Sequence, residues 1–337
     1  MDRHSGIRRA MCDIIYGMRE HELDGRRLRI LGYGACALAS SLWGTGFYFG
    51  RLALNEMSVE HMVLYRFLFA SLGILPVMLL SRARLTAREM RMLLIAAAFG
   101  IPIQFLLQFN GLALTTVSHA ALMVGVMPVM LAGAAVLFAG ERLDWIGWLA
   151  LCASTLGASL VVLGGVRVST GRETPSMTGD LLVIASLITA LAWILFSKKL
   201  LETHSAPVVT AYTILSGTVM LAGCIITHAL LAPLFRQRVE PFPFAHISTT
   251  AWLALGASGV LCTATTTLLW NWGIHQVPAS RAGVFLNIEP ALGSILGVEL
   301  LGERLGPYAW LGGALIVAAA VVLTTRSHEP SPAVILE

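Results

Sequence analysis

Ten apolar segments, each long enough to cross a lipid bilayer as a helix, are the feature that most constrains this fold. A helix needs roughly 20 mostly apolar residues to cross the hydrocarbon core. Inside lipid every backbone N–H and C=O must be paired, and a helix does this within one segment. The sequence therefore predicts an all-α membrane protein with ten transmembrane helices, at about residues 30–50, 60–80, 91–112, 117–138, 145–164, 180–200, 207–231, 249–272, 279–301 and 307–325.

The composition agrees with a lipid-facing surface and excludes several classes of protein. Only 12% of the residues are charged, whereas a soluble domain carries roughly 25%. No basic stripe interleaved with aromatic residues is present, so we expect no nucleic-acid partner. The cysteines are scattered singly, without a CxxC pair, which argues against a zinc site or a disulfide framework; we expect no metal and no cofactor. They are Cys12, Cys36, Cys152, Cys224 and Cys262.

The distribution of positive charge predicts the orientation of the helices. With the N-terminus inside, 15 of the 23 lysines and arginines fall on the inner side, six on the outer side and two within spans. Inner loops carry this excess in membrane proteins, so we expect both termini in the cytoplasm and the protein in the plasma membrane, the inner membrane if the source is bacterial. The charged residues 1–28 form an N-terminal tail, either unstructured or lying as a helix on the membrane surface.

A repeat relates the two halves of the chain. Gly140-Glu141-Arg142-Leu143 reappears 162 residues later as Gly302-Glu303-Arg304-Leu305, and the same offset pairs Pro128 with Pro290. Each half holds five predicted spans, an odd number, so the halves must cross the membrane in opposite directions. Inverted repeats of this kind are typical of secondary transporters. The predicted order is an N-terminal tail, a first repeat, a linker, a second repeat and a C-terminal tail, at residues 1–28, 29–164, 165–179, 180–326 and 327–337.

These motifs resemble those of the drug/metabolite transporter superfamily, and within it the ten-span EamA-type exporters. The resemblance covers roughly residues 30–325 and depends on the order and doubling of the motifs. They are Ser41-Leu42-Trp43-Gly44, Arg66, Pro128 before the first Gly-Glu-Arg-Leu, and Ile288-Glu289-Pro290 before the second. The resemblance implies export of amino acids, metabolites, nucleobase compounds or drugs, without fixing which.

Two ionisable residues inside predicted spans are the sharpest candidates for chemistry. Burying such a group at mid-helix costs at least ~2.5–3.5 kcal/mol, so each should face a cavity or a partner. Glu289 precedes Pro290, which can kink a helix; it is a candidate for proton coupling or for binding a substrate amine, or else a structural hydrogen bond at the kink. Arg66 could bind a substrate carboxylate with its planar fork or act as a structural tie.

Weaker candidates surround these two. Arg281 lies about two turns before Glu289 but is favoured to snorkel to the interface. His119, its equivalent in the first half, can titrate near neutral pH or be simply interfacial. Glu141 and Glu303 end equivalent spans, each beside an arginine, where they are expected to anchor helix ends at the interface, with a gating ion pair as the alternative. Tryptophans and amides could line an amphipathic cavity, or serve as interfacial anchors and helix contacts: Trp43, Trp193, Trp270, Gln108, Asn110, Asn271 and Asn287.

The favoured function is a secondary transporter that exports a small organic metabolite by alternating access, with Glu289 as a candidate for proton coupling. An uncoupled uniporter or an exchanger is the alternative. An intramembrane enzyme is more remote, since the histidines lack an HExxH or similar spacing; we therefore predict no enzyme activity. The expected partners are a small-molecule substrate, the bilayer and, in the coupled version, protons. A monomer and a homodimer both remain open.

Overall fold

The fold is described from a computed structural model that covers residues 3–80, 85–130, 133–134, 145–164, 176–232, 247–277 and 283–326. Within these residues all regular secondary structure is helical, which confirms the all-α prediction. The helices are α1 (Arg3–Leu54), α2 (Val59–Leu80), α3 (Ala87–Ala98), α4 (Gln104–Leu114), α5 (Val117–Val124), α6 (Trp145–Gly164), α7 (Met177–Leu201), α8 (Ala206–Leu231), α9 (Thr249–Gly259), α10 (Thr266–Gln276), α11 (Ile288–Leu301) and α12 (Pro307–Arg326).

Five helices in the described residues are long and apolar enough to cross a membrane. They are Val59–Leu79, Ala87–Leu114, Met177–Leu201, Ala206–Leu231 and Thr249–Gln276. Large apolar side chains cover their outer faces; Leu79, Leu230 and Leu253 are each about 70% exposed. Such a surface is stable only against lipid. Shorter apolar helices complete the bundle.

The first helix is longer than the first apolar segment. α1 begins at Arg3 and runs without interruption to Leu54. The residues from Arg3 up to the first predicted span are therefore part of the same continuous helix.

Two helices are interrupted by short π-helical turns. Phe99–Ile103 separates α3 from α4, and Val260–Thr265 separates α9 from α10. Pro102 lies in the first turn and has no backbone N–H to donate, which disturbs the regular hydrogen-bond ladder. In the second turn the Thr263 hydroxyl bonds to the Ser258 carbonyl at 2.9 Å. π turns inside α-helices occur frequently at functional sites.

Glycines allow the helices to approach at two crossings. A Cβ atom on Gly111 would lie 2.7 Å from the carbonyl oxygen of Gly179, so α4 and α7 are in backbone contact. A Cβ atom on Gly273 would lie 3.0 Å from the carbonyl oxygen of Gly32, which brings α10 equally close to α1. Small residues at such crossings let membrane helices pack tightly.

We expect Gly111→Ala to lower the melting temperature of the protein in detergent, because its methyl group would overlap the Gly179 carbonyl. Overpacking of this kind costs about 1–3 kcal/mol. Gly223→Ala on α8 is the matched control, since a Cβ atom there meets nothing within 4 Å. Melting curves followed by circular dichroism test the difference, and equal melting temperatures for the two variants would contradict the close crossing.

Candidate functional site

A cavity of about 110 Å³ lies at the centre of the bundle. This volume is several times what one water molecule needs, so the cavity can hold a small solute. Its walls are mainly apolar and come from both halves of the chain. Its polar groups are Arg66, Glu289, Gln104, Gln108, Thr213, Thr263 and Thr267, and its aromatic groups are Trp43, Phe47, Phe67, Phe105, Phe109, Trp193 and Trp270. Apolar walls with a few placed polar groups are typical of small-molecule sites.

Arg66 on α2 is fixed by the second π turn. Its side chain is almost fully buried. Its Nε donates a hydrogen bond to Thr263 Oγ1 at 2.8 Å, and its guanidinium NH2 group donates to the Cys262 carbonyl oxygen at 3.4 Å. A π turn interrupts the regular ladder of backbone bonds, so the same irregularity that bends the helix supplies an acceptor for the arginine.

Two aromatic rings complete the environment of Arg66. The guanidinium carbon lies 5.0 Å from the Phe105 ring centroid and 5.2 Å from that of Phe109. A desolvated cation over an aromatic face gains about 2 kcal/mol. Phe105 and Phe109 are one helical turn apart on α4, so the first half of the chain supplies the rings and the second supplies the hydrogen-bond acceptors. These contacts keep a positive charge in the cavity wall.

Glu289 lies in the first turn of α11, where a 3-10 segment, Gly283–Asn287, gives way to the α-helix. Helix N-termini favour negative charge. Pro290 follows in the same turn, where an absent N–H removes no helical bond. In the part of the chain that the structure describes, no hydrogen bond holds the Glu289 carboxylate, and Arg66 is close enough to interact with it electrostatically. Glu289 is one of the residues that line the cavity.

Three tryptophans line the cavity. The rings of Trp43 on α1 and Trp270 on α10 are in tilted contact, with centroids 5.4 Å apart. Trp193 on α7 covers the first π turn, since a Cβ atom on Gly100 would lie 2.6 Å from the Trp193 ring. Glycine is therefore required there for the tryptophan to pack against the backbone. Of the predicted site residues, Gln108 also lines the cavity.

Other predicted site residues lie elsewhere. Asn110 is exposed and donates to the Leu106 carbonyl oxygen of its own helix at 2.8 Å. Asn271 is buried between α10 and α8, where it donates to Thr210 Oγ1 at 2.8 Å. Asn287 is buried at the end of the 3-10 segment. Arg281 lies outside the described residues, as does Glu141.

The two prolines predicted to kink helices both lie near interruptions. Pro128 is buried a few residues after α5 ends at Val124, beyond a short turn. Pro290 follows the change from 3-10 to α-helix at Asn287. Each proline is tolerated because it comes in the first turn of a new helical stretch.

His119 is not at an interface but fully buried, with its Nδ1 3.2 Å from Asp180 Oδ2. Sequence analysis missed Asp180 because it stands at the very start of an apolar segment, where a charged residue is expected to reach solvent. It also missed Thr263 and Cys262, because no sequence pattern predicts the second π turn. The spacing of Phe105 and Phe109 by four residues was the one available signal for the aromatic contacts of Arg66.

Apolar helices packed around an amphipathic cavity define a multi-pass membrane transport protein. The chain belongs to the EamA-like transporter family, whose model matches residues 30–163 and 177–325. This confirms the resemblance on which the sequence analysis relied, and it indicates a transporter rather than an enzyme.

Named relatives support the same assignment, and a solved structure shares the fold. The chain is 24% identical to a probable terminal-alkyne amino-acid exporter of Streptantibioticus cattleyicolor, over 87% of this chain and 93% of that one. It is 24% identical to the biotin transporter of Escherichia coli, over 84% and 90% respectively. A crystal structure at 19% identity covers 88% of this chain and 98% of its own, with a TM-score of 0.56, and shows a shared fold.

We expect Thr263→Val to destabilise the protein by about 1–3 kcal/mol, because it leaves the buried Nε–H of Arg66 without its acceptor. Thr267→Val is the control, since Thr267 lines the same cavity one turn further along the chain and makes no hydrogen bond to Arg66. Thermal unfolding in detergent measures both. A shift of the same size in the two variants would show that Thr263 does not hold the arginine.

Proposed function

We propose that the protein is a secondary transporter that exports a small organic metabolite by alternating access. The observation that carries this proposal is one central cavity, lined by both halves of the chain, with Arg66 and Glu289 in its walls. Its ten transmembrane helices form two inverted repeats, residues 29–164 and 180–326, joined by the linker 165–179. Both termini lie in the cytoplasm, with the C-terminal tail at 327–337.

The positions of the two π turns support the repeat. Adding the offset of 162 residues to Phe99–Ile103 gives 261–265, and the observed second turn is Val260–Thr265. Both turns border the cavity, through Gly100 and Cys262. An irregular turn has little reason to recur at the same place in two unrelated segments, so its recurrence favours two copies of one unit.

The glycine crossings support the repeat independently. Gly111 and Gly273 are equivalent by the same offset. Gly111 on α4 meets Gly179 on α7, and Gly273 on α10 meets Gly32 on α1. In each case the third span of one half packs on the first span of the other. This exchange of partners is what a two-fold axis in the membrane plane requires.

The polar groups of the cavity favour a solute with an amine, a carboxylate and an apolar body. Glu289 at a helix N-terminus can pair with an ammonium group, and Arg66 with a carboxylate. Trp43 and Trp270 give an apolar wall for the remainder of the solute. An amino acid has this combination, and one relative's name, a probable terminal-alkyne amino-acid exporter, agrees with it.

The same carboxylate gives a simple route to proton coupling. A Glu289 that pairs with an ammonium group must be ionised, and a protonated Glu289 has lost that partner. Protons and substrate then compete for one site, so a proton entering from outside displaces a substrate leaving the cell. The uncoupled uniporter and the exchanger differ from this scheme because neither depends on protonation of Glu289.

We expect Glu289→Gln to abolish the response of transport to a pH gradient, because an amide neither binds nor releases a proton near neutral pH. Uptake of a labelled panel of amino acids and nucleobases into liposomes, with and without an imposed gradient, measures this. Glu299→Gln is the matched control, an exposed glutamate on the same helix. A full gradient response in Glu289→Gln would contradict coupling through this carboxylate and favour the uncoupled alternative.

We expect Arg66→Lys to raise the KM for an amino acid by about tenfold, the factor that corresponds to 1.4 kcal/mol. Lysine keeps the charge but not the planar fork that binds a carboxylate through two hydrogen bonds. The corresponding amine, which lacks the carboxylate, serves as the control substrate, and its transport should change by less than about twofold. Equal effects on both substrates would mean that Arg66 has a structural role only.

A further inference from the structure

A second buried polar cluster lies away from the cavity, at the end of the bundle where α1 and α4 end and α5 and α7 begin. We call it the end cluster; it consists of Arg51, Thr115, His119, Asp180 and Glu303, each of which is less than about a tenth exposed. The distribution of lysine and arginine assigns this end of the bundle to the outer side.

Glu303 in this cluster caps a helix from the other half of the chain. Its Oε1 accepts the backbone N–H of Val117 at 2.8 Å, and its Oε2 accepts that of Ser118 at 2.8 Å. These N–H groups open α5 and have no partner within that helix. Gly297 permits the approach, because a Cβ atom there would lie 2.5 Å from Glu303 Oε2. Glu303 therefore holds a helix end, but it does so while buried and not as a solvated group.

Asp180 makes an equivalent tie from α7. Its Oδ1 accepts a hydrogen bond from the Thr115 hydroxyl at 2.6 Å, and its Oδ2 lies 3.2 Å from Nδ1 of His119. Arg51 supports the same backbone, since its guanidinium donates to the carbonyl oxygens of Leu112 and Thr115. Both carboxylates thus come from the second half of the chain, and the groups that they hold come from the first.

The cluster and the cavity are at opposite ends of the same pair of helices. α11 has 14 residues and is about 21 Å long; Glu289 lies in its first turn, and Glu303 lies two residues beyond its last residue, Leu301. On α5, Val117 begins the helix and Val124 lines the cavity. Between these ends the pair is tightly packed, since a Cβ atom on Gly293 would lie 2.6 Å from that of Ala121. The two helices are therefore in close contact between the cavity and the end cluster.

The tie between the halves at the opposite end is of a different kind. There Glu89 accepts a hydrogen bond from the Thr203 hydroxyl at 3.1 Å and lies 3.1 Å from His204 Nε2. These groups are partly exposed to solvent, and exposed ion pairs contribute little. Buried, charge-assisted hydrogen bonds are roughly twice as strong as neutral ones. Among the described residues, the groups that tie the halves together are therefore buried at one end and partly exposed at the other.

We propose that Glu303 and Asp180 are an outer latch that holds the two halves together and closes the cavity to the outside in this conformation. This inference rests on the proposed alternating access, in which the latch must open once in each cycle. It assigns a role to two carboxylates that lie outside the cavity and do not touch the substrate.

Cys262 offers a native reporter for the latch, because it lines the cavity and is buried in this conformation. A background with Cys12, Cys36, Cys152 and Cys224 replaced by serine leaves Cys262 as the single thiol. A membrane-impermeant maleimide added from the outer side reaches it only when the outer end opens. This readout requires no substrate, so it is independent of whether the transport assay succeeds.

We expect Glu303→Gln to increase the rate of Cys262 labelling from outside by about tenfold, because the amide presents an NH2 group to one of two N–H donors. Asp180→Asn should act in the same direction. Glu299→Gln, the same change at an exposed site of α11, should label at the background rate. Labelling of folded Glu303→Gln and Asp180→Asn at the background rate would overturn the proposal.

A cross-link tests the latch with both carboxylates in place. Ser118 Oγ lies 3.4 Å from the Ser294 carbonyl oxygen, so Ser118→Cys and Ser294→Cys together can form a disulfide between the halves. Labelling of the Cys262 peptide is then followed by mass spectrometry. Oxidation should reduce its labelling from outside to below one tenth, and reduction should restore it. Unchanged labelling of the cross-linked protein would show that the maleimide does not reach Cys262 through the outer end. If the Cys262 labelling supports the latch but no solute is transported, only the proposed function is contradicted.

Discussion

The hydrogen bonds and aromatic contacts of one buried arginine, Arg66, are the interactions on which the centre of this structure depends. Arg66 cannot be left unpaired at membrane depth, where the cost of its charge is several kcal/mol. Thr263, the Cys262 carbonyl and two phenylalanine rings together satisfy it. These partners come from both halves of the chain, so the residue that gives the cavity its positive charge also joins the halves there. A rearrangement of the halves must change this environment.

Irregular helix geometry makes that environment available. In a regular helix each backbone carbonyl already accepts a hydrogen bond within the helix, so only its second lone pair is left for a neighbour. The π turn at Val260–Thr265 and the 3-10 segment at Gly283–Asn287 break this rule where they adjoin the cavity. The first supplies an acceptor to Arg66, and the second leaves Glu289 at a helix N-terminus. Breaks in helices thus provide polar groups that an all-apolar bundle otherwise lacks.

The sequence could predict much of the fold but only part of the site. Segment length and low charge predict apolar helices, since lipid imposes both. The cost of intramembrane charge drew attention to Arg66 and Glu289, and both line the cavity. The sequence-based prediction grouped Asn110 with Gln108, although residues two positions apart on a helix do not share a face; Gln108 lines the cavity and Asn110 is exposed. It could not pair His119 with Asp180, which lies 61 residues further along the chain.

The two glutamates near the ends of α11 show how one residue type takes two roles: Glu289 lies in the first turn of the helix, and Glu303 lies two residues beyond its last residue. Glu289 has no hydrogen-bond partner among the described residues and faces a cavity, whereas Glu303 accepts two backbone N–H groups and is closed off from solvent. A carboxylate without fixed partners can exchange ligands, and one with two fixed donors resists change. The proposed alternating access requires both properties: a site that releases what it binds, and an end that stays shut until the halves move as bodies.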